Sequence, residues 1–449
     1  MERKNKYFFG MLLLCSILFA GGCGTDVEKT ALSFDAKVET APAASGTEAE
    51  AETLQPLPGT EQDLQGGRTA GTYILSARET LSLGAETAEQ IMSLGCAVLR
   101  EEGLPEVTLV MVGDMLMHMP VNNSGKMADG SINFDHLFTY TKEMISEADI
   151  ALVNEEVILG GEELGISGYP RFNTYYEVGD ALVNAGFDVV LHATNHAMDK
   201  GREGLENCLA FWENKYPEIA VLGIQDSAKE QEDIYVYEQY GIRIAILNYT
   251  YGTNGLPLPE GMPYAVNLMD ETKIAEDVAR AKELADFVVL CPHWGTEYVL
   301  TESKYQRMWA EFFMECGVDL VIGTHPHVIE PVELMKDDLG NEMLVYYSLG
   351  NYVNATASES NKIGIQMIGA MAEVTIARNE NGEVYIKDYG AEPLVTYFSA
   401  DKKEVTTYPM DMFTEEMAEN SYTVKRDERF SPAFCEEIWQ QVFPNLADE

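Results

Sequence analysis

Most of the seven histidines in this 449-residue chain stand at or just after the end of a short apolar run. The histidines that are candidates for metal binding or proton transfer are His118, His196, His293, His325 and His327. Asp114, Glu156 and Asn195 follow similar runs. Imidazole, carboxylate and amide groups together are the ligands of one or two divalent metal ions. If the runs are neighbouring strands of one sheet, their loops converge, and the sequence predicts a metal site there.

The strongest single signal is Gly-Thr-His325-Pro-His327, because two imidazoles two residues apart on a loop have few structural uses. The other members are weak by themselves. Asp114 after Gly113 is also typical of a turn, and His293 beside Trp294 also suits a structural histidine. The prediction therefore rests on the joint pattern.

Buried strands that alternate with helices must position these side chains. Helical patterns cover Glu271 to Ala285 and Ser303 to Cys316. This alternation of strands and helices along the chain predicts an α/β fold, in which ligands bind at the carboxyl ends of the strands. The apolar runs are 108–112, 150–153, 189–191, 242–247, 287–290, 320–322 and 343–347.

In the C-terminal part, polar and apolar residues alternate instead of forming continuous apolar runs. Alternating residues in 374–377 and 383–387, joined by Asn379 to Gly382, predict a β-hairpin. Ser431 and Pro432 are typical of a helix N-terminus, and this last helix is expected to run through Val442. The predicted domain boundaries are 106–395 for the main domain and 396–449 for a C-terminal extension.

The N-terminus reads as an export signal. A basic start, an apolar run and small residues predict a signal peptide over 1–22. Cys23 resembles the lipidated cysteine of bacterial lipoproteins, although a plain secretory peptide or an uncleaved anchor also fits. A flexible acidic linker is expected over 23–75 and a leader helix over 76–105. The predicted location is the extracellular face of a bacterial membrane, with a lipid anchor.

Composition excludes some classes of function. A formal net charge of −44 argues against nucleic-acid binding, because a polyphosphate backbone needs a basic face. The seven cysteines show no CxxC pair and no regular spacing, which argues against a disulfide framework and a thiolate metal site.

The motifs follow one another along the chain in the same order as in a known protein family. The chain from Thr108 to Val353 resembles the CapA capsule-synthesis proteins, whose domain is similar to the calcineurin-like metallophosphoesterases. Two departures are Thr194 and Thr324, which stand where Asn and His are common. The matching stretches are Val112–His118, Ala151–Glu156, Ala185–Asp199, Pro292–Tyr298, Gly317–His327 and Tyr347–Tyr352.

The resemblance implies a four-layer α/β/β/α metallophosphoesterase-like sandwich and roles for its residues. It implies two divalent ions, with Mn, Zn and Fe all open, and His196 as the general acid. The implied ligands are Asp114, His118, Glu156 and His327 for one ion, and Glu156, Asn195, His293 and His325 for the other.

Several neighbouring residues receive supporting roles. Glu297 and Tyr298 are expected to orient His293, with packing as the alternative, and Arg171 and Asn173 to contact an anionic substrate. Asn351 either reaches the site or shapes its loop. His192 is expected to lie behind the metals, and His136 to have a structural role. Asp199 and Gly201 are expected to hold the loop after His196.

Two functions follow from the resemblance. The first is a phosphoesterase-type hydrolase in the metabolism of poly-γ-glutamate capsule or another cell-envelope polymer. The alternative is a non-catalytic factor for capsule assembly, export or anchoring that retains a structural metal site. The expected partners are the polymer or a phosphoester substrate, the membrane, and capsule-synthase membrane subunits.

Overall fold

The apolar runs of the sequence form the inner strands of two β-sheets. The computed structural model describes residues 104–337, 339–356, 362–444 and 446. Within these ranges the strands are β1 Glu106–Met115, β2 Ile150–Asn154, β3 Val189–Leu191, β4 Ala220–Leu222, β5 Tyr235–Gln239, β6 Ile242–Thr250, β7 Phe287–His293, β8 Leu320–Ile322, β9 Ile329–Lys336, β10 Glu342–Leu349, β11 Asn351–Val353, β12 Ile368–Arg378, β13 Val384–Phe398 and β14 Val405–Pro409.

In the described part of the chain, α-helices lie in the connections between the successive parallel strands β1 to β4 and β6 to β8. Two of them match the helical patterns of the sequence closely, and Ser303 caps one of them through a reciprocal bond with Gln306. The α-helices are α1 Met119–Ser124, α2 Lys142–Glu147, α3 Glu177–Ala185, α4 Gly201–Lys215, α5 Ala228–Glu232, α6 Glu271–Leu284, α7 Lys304–Cys316, α8 Glu415–Glu419 and α9 Pro432–Val442.

The first sheet has the order β14-β13-β12-β1-β2-β3-β4, with β11 paired to β1. Its neighbours β1, β2, β3 and β4 run parallel, whereas β12, β13 and β14 are antiparallel. The second sheet has the order β5-β6-β7-β8-β10-β9, and β6, β7 and β8 are parallel. Each sheet therefore has a parallel centre whose strand ends can carry a site.

The two sheets face each other across a shared apolar core. The sulfur atoms of Met111 on β1 and Cys291 on β7 are 3.8 Å apart between the sheets. Helices α6 and α7 pack on the second sheet in a separate core cluster that includes Val278 and Phe313. Helices α3 and α4 bury Leu182 and Leu205 in the cluster that holds the first sheet. The predicted α/β/β/α sandwich is confirmed.

The C-terminal predictions compare closely with the structure. The expected hairpin is β12 and β13, and the last helix begins at Pro432 after the Ser431 cap. The boundary predicted at residue 395 falls inside β13, and β14 extends the same sheet. The first sheet thus continues into the predicted C-terminal extension.

The N-terminal predictions lie outside the described residues. These are the signal peptide, the lipidated Cys23, the acidic linker and the leader helix, apart from residues 104 and 105 at its end. No helix in the described part of the chain is long and apolar enough to cross a membrane.

Candidate metal centre

The centre lies where parallel strands of both sheets end. Asp114 is the penultimate residue of β1, and His293 is the last residue of β7. The loop after β8 pairs with β7 through a bridge between Thr324 and His293, which brings His325 and His327 to the same edge. Parallel strands present their carboxyl ends together, and this arrangement gathers residues that are far apart in sequence.

Close backbone contact between β1 and β11 places Asp114. Its N–H donates to the Gly350 carbonyl oxygen at 2.9 Å. A Cβ at Gly113 would lie 2.0 Å from that same oxygen, so only glycine permits the approach. The Asn154 amide also donates to Asp114 Oδ1 at 2.8 Å, which fixes the carboxylate.

The loop that carries His325 and His327 has an unusual backbone. Both residues have positive φ angles, 99° and 57°, which residues other than glycine rarely adopt. The His325 N–H donates to Asp114 Oδ2 at 3.2 Å. Asn351 donates to the His327 carbonyl oxygen at 3.0 Å, and its Oδ1 lies 3.0 Å from His327 Nδ1. These contacts hold strained residues in place, a feature that is common at functional sites.

His293 has a partner at each ring nitrogen. Its Nε2 lies 2.9 Å from Asn195 Oδ1, and its Nδ1 lies 2.9 Å from the Thr324 hydroxyl. Neither contact involves Glu297 or Tyr298, so their expected place beside His293 stays a prediction. Thr324 holds Nδ1 because the loop after β8 lies directly beside the end of β7.

Potential ligand atoms cluster around Glu156. Among the described residues, Asp114, Glu156 and His327 form one group, and Glu156, His293 and His325 form another, with ligand atoms within 4.8 Å of one another. Glu297 forms a third group with His325 and His327. Because the groups share members, they describe a single centre.

The residues fit a divalent cation. Both carboxylate oxygens of Glu156 and Nδ1 of His325 are buried without a hydrogen-bond partner. Burial of an unpartnered carboxylate is costly, and a bound cation would remove that cost. Two ligands about 2.1 Å from one metal lie about 3.0–3.4 Å apart. The separations of 2.9 Å for His293 and Asn195 and 3.1 Å for His327 Nδ1 and Asp114 are close to that range.

Burial and neighbouring charges set the protonation of the centre. Burial lowers the pKa of His293 and of His325 well below the usual value, and that of His118 to about 3. Neutral imidazole is the form that binds metals. Burial also raises the pKa of Glu156 well above its usual value. For His327 the effect of burial is outweighed by Glu156 and Asp114, which raise its pKa to about 10.

His196 stands beside the centre, with a carboxylate behind it. Its Nδ1 lies 2.6 Å from Asp199 Oδ2, and its Nε2 lies 3.9 Å from Glu156 Oε1. Asp199 also accepts the Phe172 N–H at 2.6 Å, so it links the loop after His196 to the segment that carries Phe172. Its pairing with His196 was missed, although an acid three residues after the histidine was a usable signal.

The other histidines differ in their distance from the centre. His118 lines the adjoining cavity and packs edge-on against Phe172 at 5.2 Å, outside the three ligand groups. His192 is buried, with its Nε2 3.3 Å from Trp212 Nε1. His136 contacts the Ser124 hydroxyl at 2.9 Å. A ligand role for His118 stays a prediction.

A cavity of about 790 Å³ opens next to the centre. Among the described residues that line it, Arg171 is the one arginine or lysine. Tyr169 and Tyr298 form part of its wall, and Asn195, His196 and His327 bring the centre to its surface. The cavity therefore gives an external ligand access to the candidate metal centre.

The fold and the site define an α/β/β/α protein with a candidate divalent-metal centre at its strand ends. Residues 108–356, more than half of the chain, match the family described as bacterial capsule synthesis protein PGA_cap. The chain belongs to this family, as the sequence motifs predicted.

Two relatives share a similar stretch. The capsule biosynthesis protein CapA of Bacillus anthracis is 26% identical over 257 residues, which cover 55% of this chain and 60% of that protein. The PGA biosynthesis protein CapA of Bacillus subtilis (strain 168) is 29% identical over 245 residues, which cover 54% of this chain and 62% of that protein. The chain thus spans about three fifths of the length of these relatives.

One solved structure with a similar chain path is a phosphatase from Mycoplasma pneumoniae. It aligns with a TM-score of 0.38 at 13% identity and covers 65% of this chain and 95% of that chain.

Proposed function

We propose that this chain is a metal-dependent hydrolase of the phosphoesterase type that acts on a capsule or cell-envelope polymer, or on its precursor. One observation carries the proposal. The unpartnered, buried carboxylate of Glu156 lies among histidines and next to the paired His196 and Asp199, at a cavity. This combination supplies metal ligands and a proton donor side by side.

The proposed cofactor is a pair of divalent ions, with Mn, Zn and Fe as candidates. Asp114, Glu156 and His327 would hold one ion, and Glu156, His293 and His325 the other, with Asn195 beside His293. When bound, such ions neutralise charge on a phosphoryl group and lower the pKa of water.

Protein side chains supply the proton and the substrate contact. The Asp199 carboxylate holds the His196 ring through Nδ1, which leaves Nε2 directed towards Glu156 and the centre. His196 is thereby positioned to donate a proton to a leaving oxygen. The Arg171 guanidinium lines the same cavity and is suited to an anionic group of the substrate.

The proposed setting is the outer face of the bacterial membrane. The two relatives are named as proteins of capsule biosynthesis and of PGA biosynthesis, and these names support a role in the cell envelope. Lipidation at Cys23 would tether the chain, and capsule-synthase membrane subunits are the proposed partners. Poly-γ-glutamate is a polyanion, so contact with this acidic chain requires a local cation such as Arg171 or bridging metal ions.

Turnover tests the proposal. The purified full chain, loaded with manganese or zinc, is assayed with a chromogenic phosphodiester and with poly-γ-glutamate. His196→Ala should lower turnover about 10²-fold or more, while His136→Ala, outside the cavity, should leave it unchanged. A metal-loaded wild type without turnover would contradict a hydrolase and favour the assembly, export or anchoring role.

A further inference from the structure

Glu297 is the exposed acid of the candidate centre. It lies in the turn after β7, whereas its neighbours in the centre are buried. One carboxylate oxygen of Glu297 and one ring nitrogen each of His325 and His327 lie within 4.8 Å of one another. Glu297 also lines the cavity, so it faces the side from which a ligand approaches.

Contacts of the next residue hold Glu297 over the two histidines. The Tyr298 N–H donates to the carbonyl oxygen of Pro326, which lies between His325 and His327, at 2.8 Å. The Tyr298 ring stacks on His327, with centroids 6.0 Å apart and planes at 28°.

The backbone of this turn also supports a functional role. Gly295 and Tyr298 have φ angles of 103° and 64°, and the second value is costly for a tyrosine. Lys362 Nζ donates to the Tyr298 carbonyl oxygen at 3.2 Å. Backbone strain that surrounding contacts hold in place is typical of turns at functional sites.

Two imidazoles and a carboxylate are a frequent ligand set for Zn²⁺ and related ions. We propose that Glu297 is a direct ligand that completes the metal centre on its cavity-facing side. This inference rests on the proposed function, because it assumes that the centre binds metal. It departs from the expected role of Glu297 as an orienting partner of His293, whose ring nitrogens contact Asn195 and Thr324 instead.

Metal affinity tests this role without any assay of turnover. The full chain is titrated calorimetrically with Mn²⁺, and the electron paramagnetic resonance spectrum of the bound ion is recorded. Glu297→Gln should weaken binding at one position about 10-fold or more and change the spectrum. Glu311→Gln, which removes an equal charge from an exposed position on α7, should match the wild type.

A second variant separates ligation from simple attraction between charges. Glu297→Asp keeps the charge and withdraws the carboxylate by one methylene, so a ligand role predicts binding weaker than that of the wild type. Melting temperatures without metal should be equal in all variants, which excludes misfolding as the cause.

Each other result has a definite meaning. Wild-type affinity and an unchanged spectrum in Glu297→Gln, or full affinity in Glu297→Asp, would overturn the ligand role and leave the proposed function intact. A wild-type chain that binds no Mn²⁺ would overturn both.

Discussion

At the scale of single residues, the side chains of the centre differ in the protons they carry. Burial keeps His293 and His325 neutral by lowering each pKa well below the usual value. Glu156 and Asp114 raise the pKa of His327 to about 10 against the effect of burial, and burial raises the pKa of Glu156 itself. Without metal, the pair of Glu156 and His327 therefore retains at least one proton at neutral pH.

Metal binding should release this proton. A cation must displace the proton held by His327 and Glu156, so Mn²⁺ binding at pH 7 should release about one proton or more. Because protons compete with the metal for these ligands, affinity should fall as the pH is lowered from about 8 to about 6. Calorimetry in two buffers with different ionisation enthalpies measures the release. Equal heats in the two buffers would contradict it.

The carboxylate behind His196 should matter for turnover and not for metal binding. Asp199→Asn keeps the shape of the side chain and removes the carboxylate that contacts His196 Nδ1 at 2.6 Å. Turnover of the metal-loaded chain should fall about 10²-fold, with metal content unchanged. Asp233→Asn, an exposed aspartate outside the cavity, serves as the control. Unaltered turnover in Asp199→Asn would refute the proposed pairing.

At the scale of elements, the junction of β1 and β11 positions both Asp114 and Asn351. The two residues are opposite each other in the parallel pair, with a register shift directly after Asp114. Asn351 then contacts His327, so this short pair links the first sheet to the histidine loop.

Gly113→Ala should disrupt that junction. The added Cβ would meet the Gly350 carbonyl oxygen at 2.0 Å, and backbone cannot move aside as a side chain can. We expect the free energy of unfolding to fall by about 1–3 kcal/mol, together with metal affinity. Gly390→Ala, at a position where the added Cβ meets no atom within 4 Å, is the matched control. Urea unfolding measures the free energy of unfolding of both variants. Equal losses of stability in Gly113→Ala and Gly390→Ala would contradict the role of this junction.

The sequence predicted the strands that form continuous apolar runs better than the other strands. Runs such as Phe287 to Leu290 are continuous and apolar because the strands are buried on both faces. Strands of three residues are too short to show a period, and of these the prediction found β3 and β8 but missed β4 and β11. The position of Glu297 depends on how the turn after β7 closes on the histidine loop, and residue spacing carries no information about such closure. The histidine and carboxylate ligands could be predicted because each lies at the end of a strand or in the loop that follows it.

At the scale of the whole molecule, charge opposes the proposed substrate. The chain has a net charge of −44, and Arg171 is the one arginine or lysine among the described residues of the cavity wall. A polyanion therefore approaches against a repulsive field and encounters attraction only close to the site. Salt screens the long-range repulsion more than the short contact, because the Debye length is about 10 Å at 0.1 M ionic strength.

Binding of a polyanion should therefore increase with moderate salt. At fixed free Mn²⁺, association of poly-γ-glutamate should strengthen between about 20 and about 200 mM NaCl. Arg171→Ala should weaken association at each concentration, whereas Arg202→Ala, on the exposed surface of α4, should not. Light scattering or fluorescence anisotropy measures the association. A steady decrease with salt would contradict this balance of charges.

The most direct test of the central claim is metal content after equilibrium dialysis. The full wild-type chain, dialysed against Mn²⁺ or Zn²⁺ and analysed by mass spectrometry, should retain the metal. His293→Ala should lose at least one ion per chain, because it removes a buried ligand at the end of β7, whereas His136→Ala should match the wild type. Full metal content in His293→Ala would contradict the account.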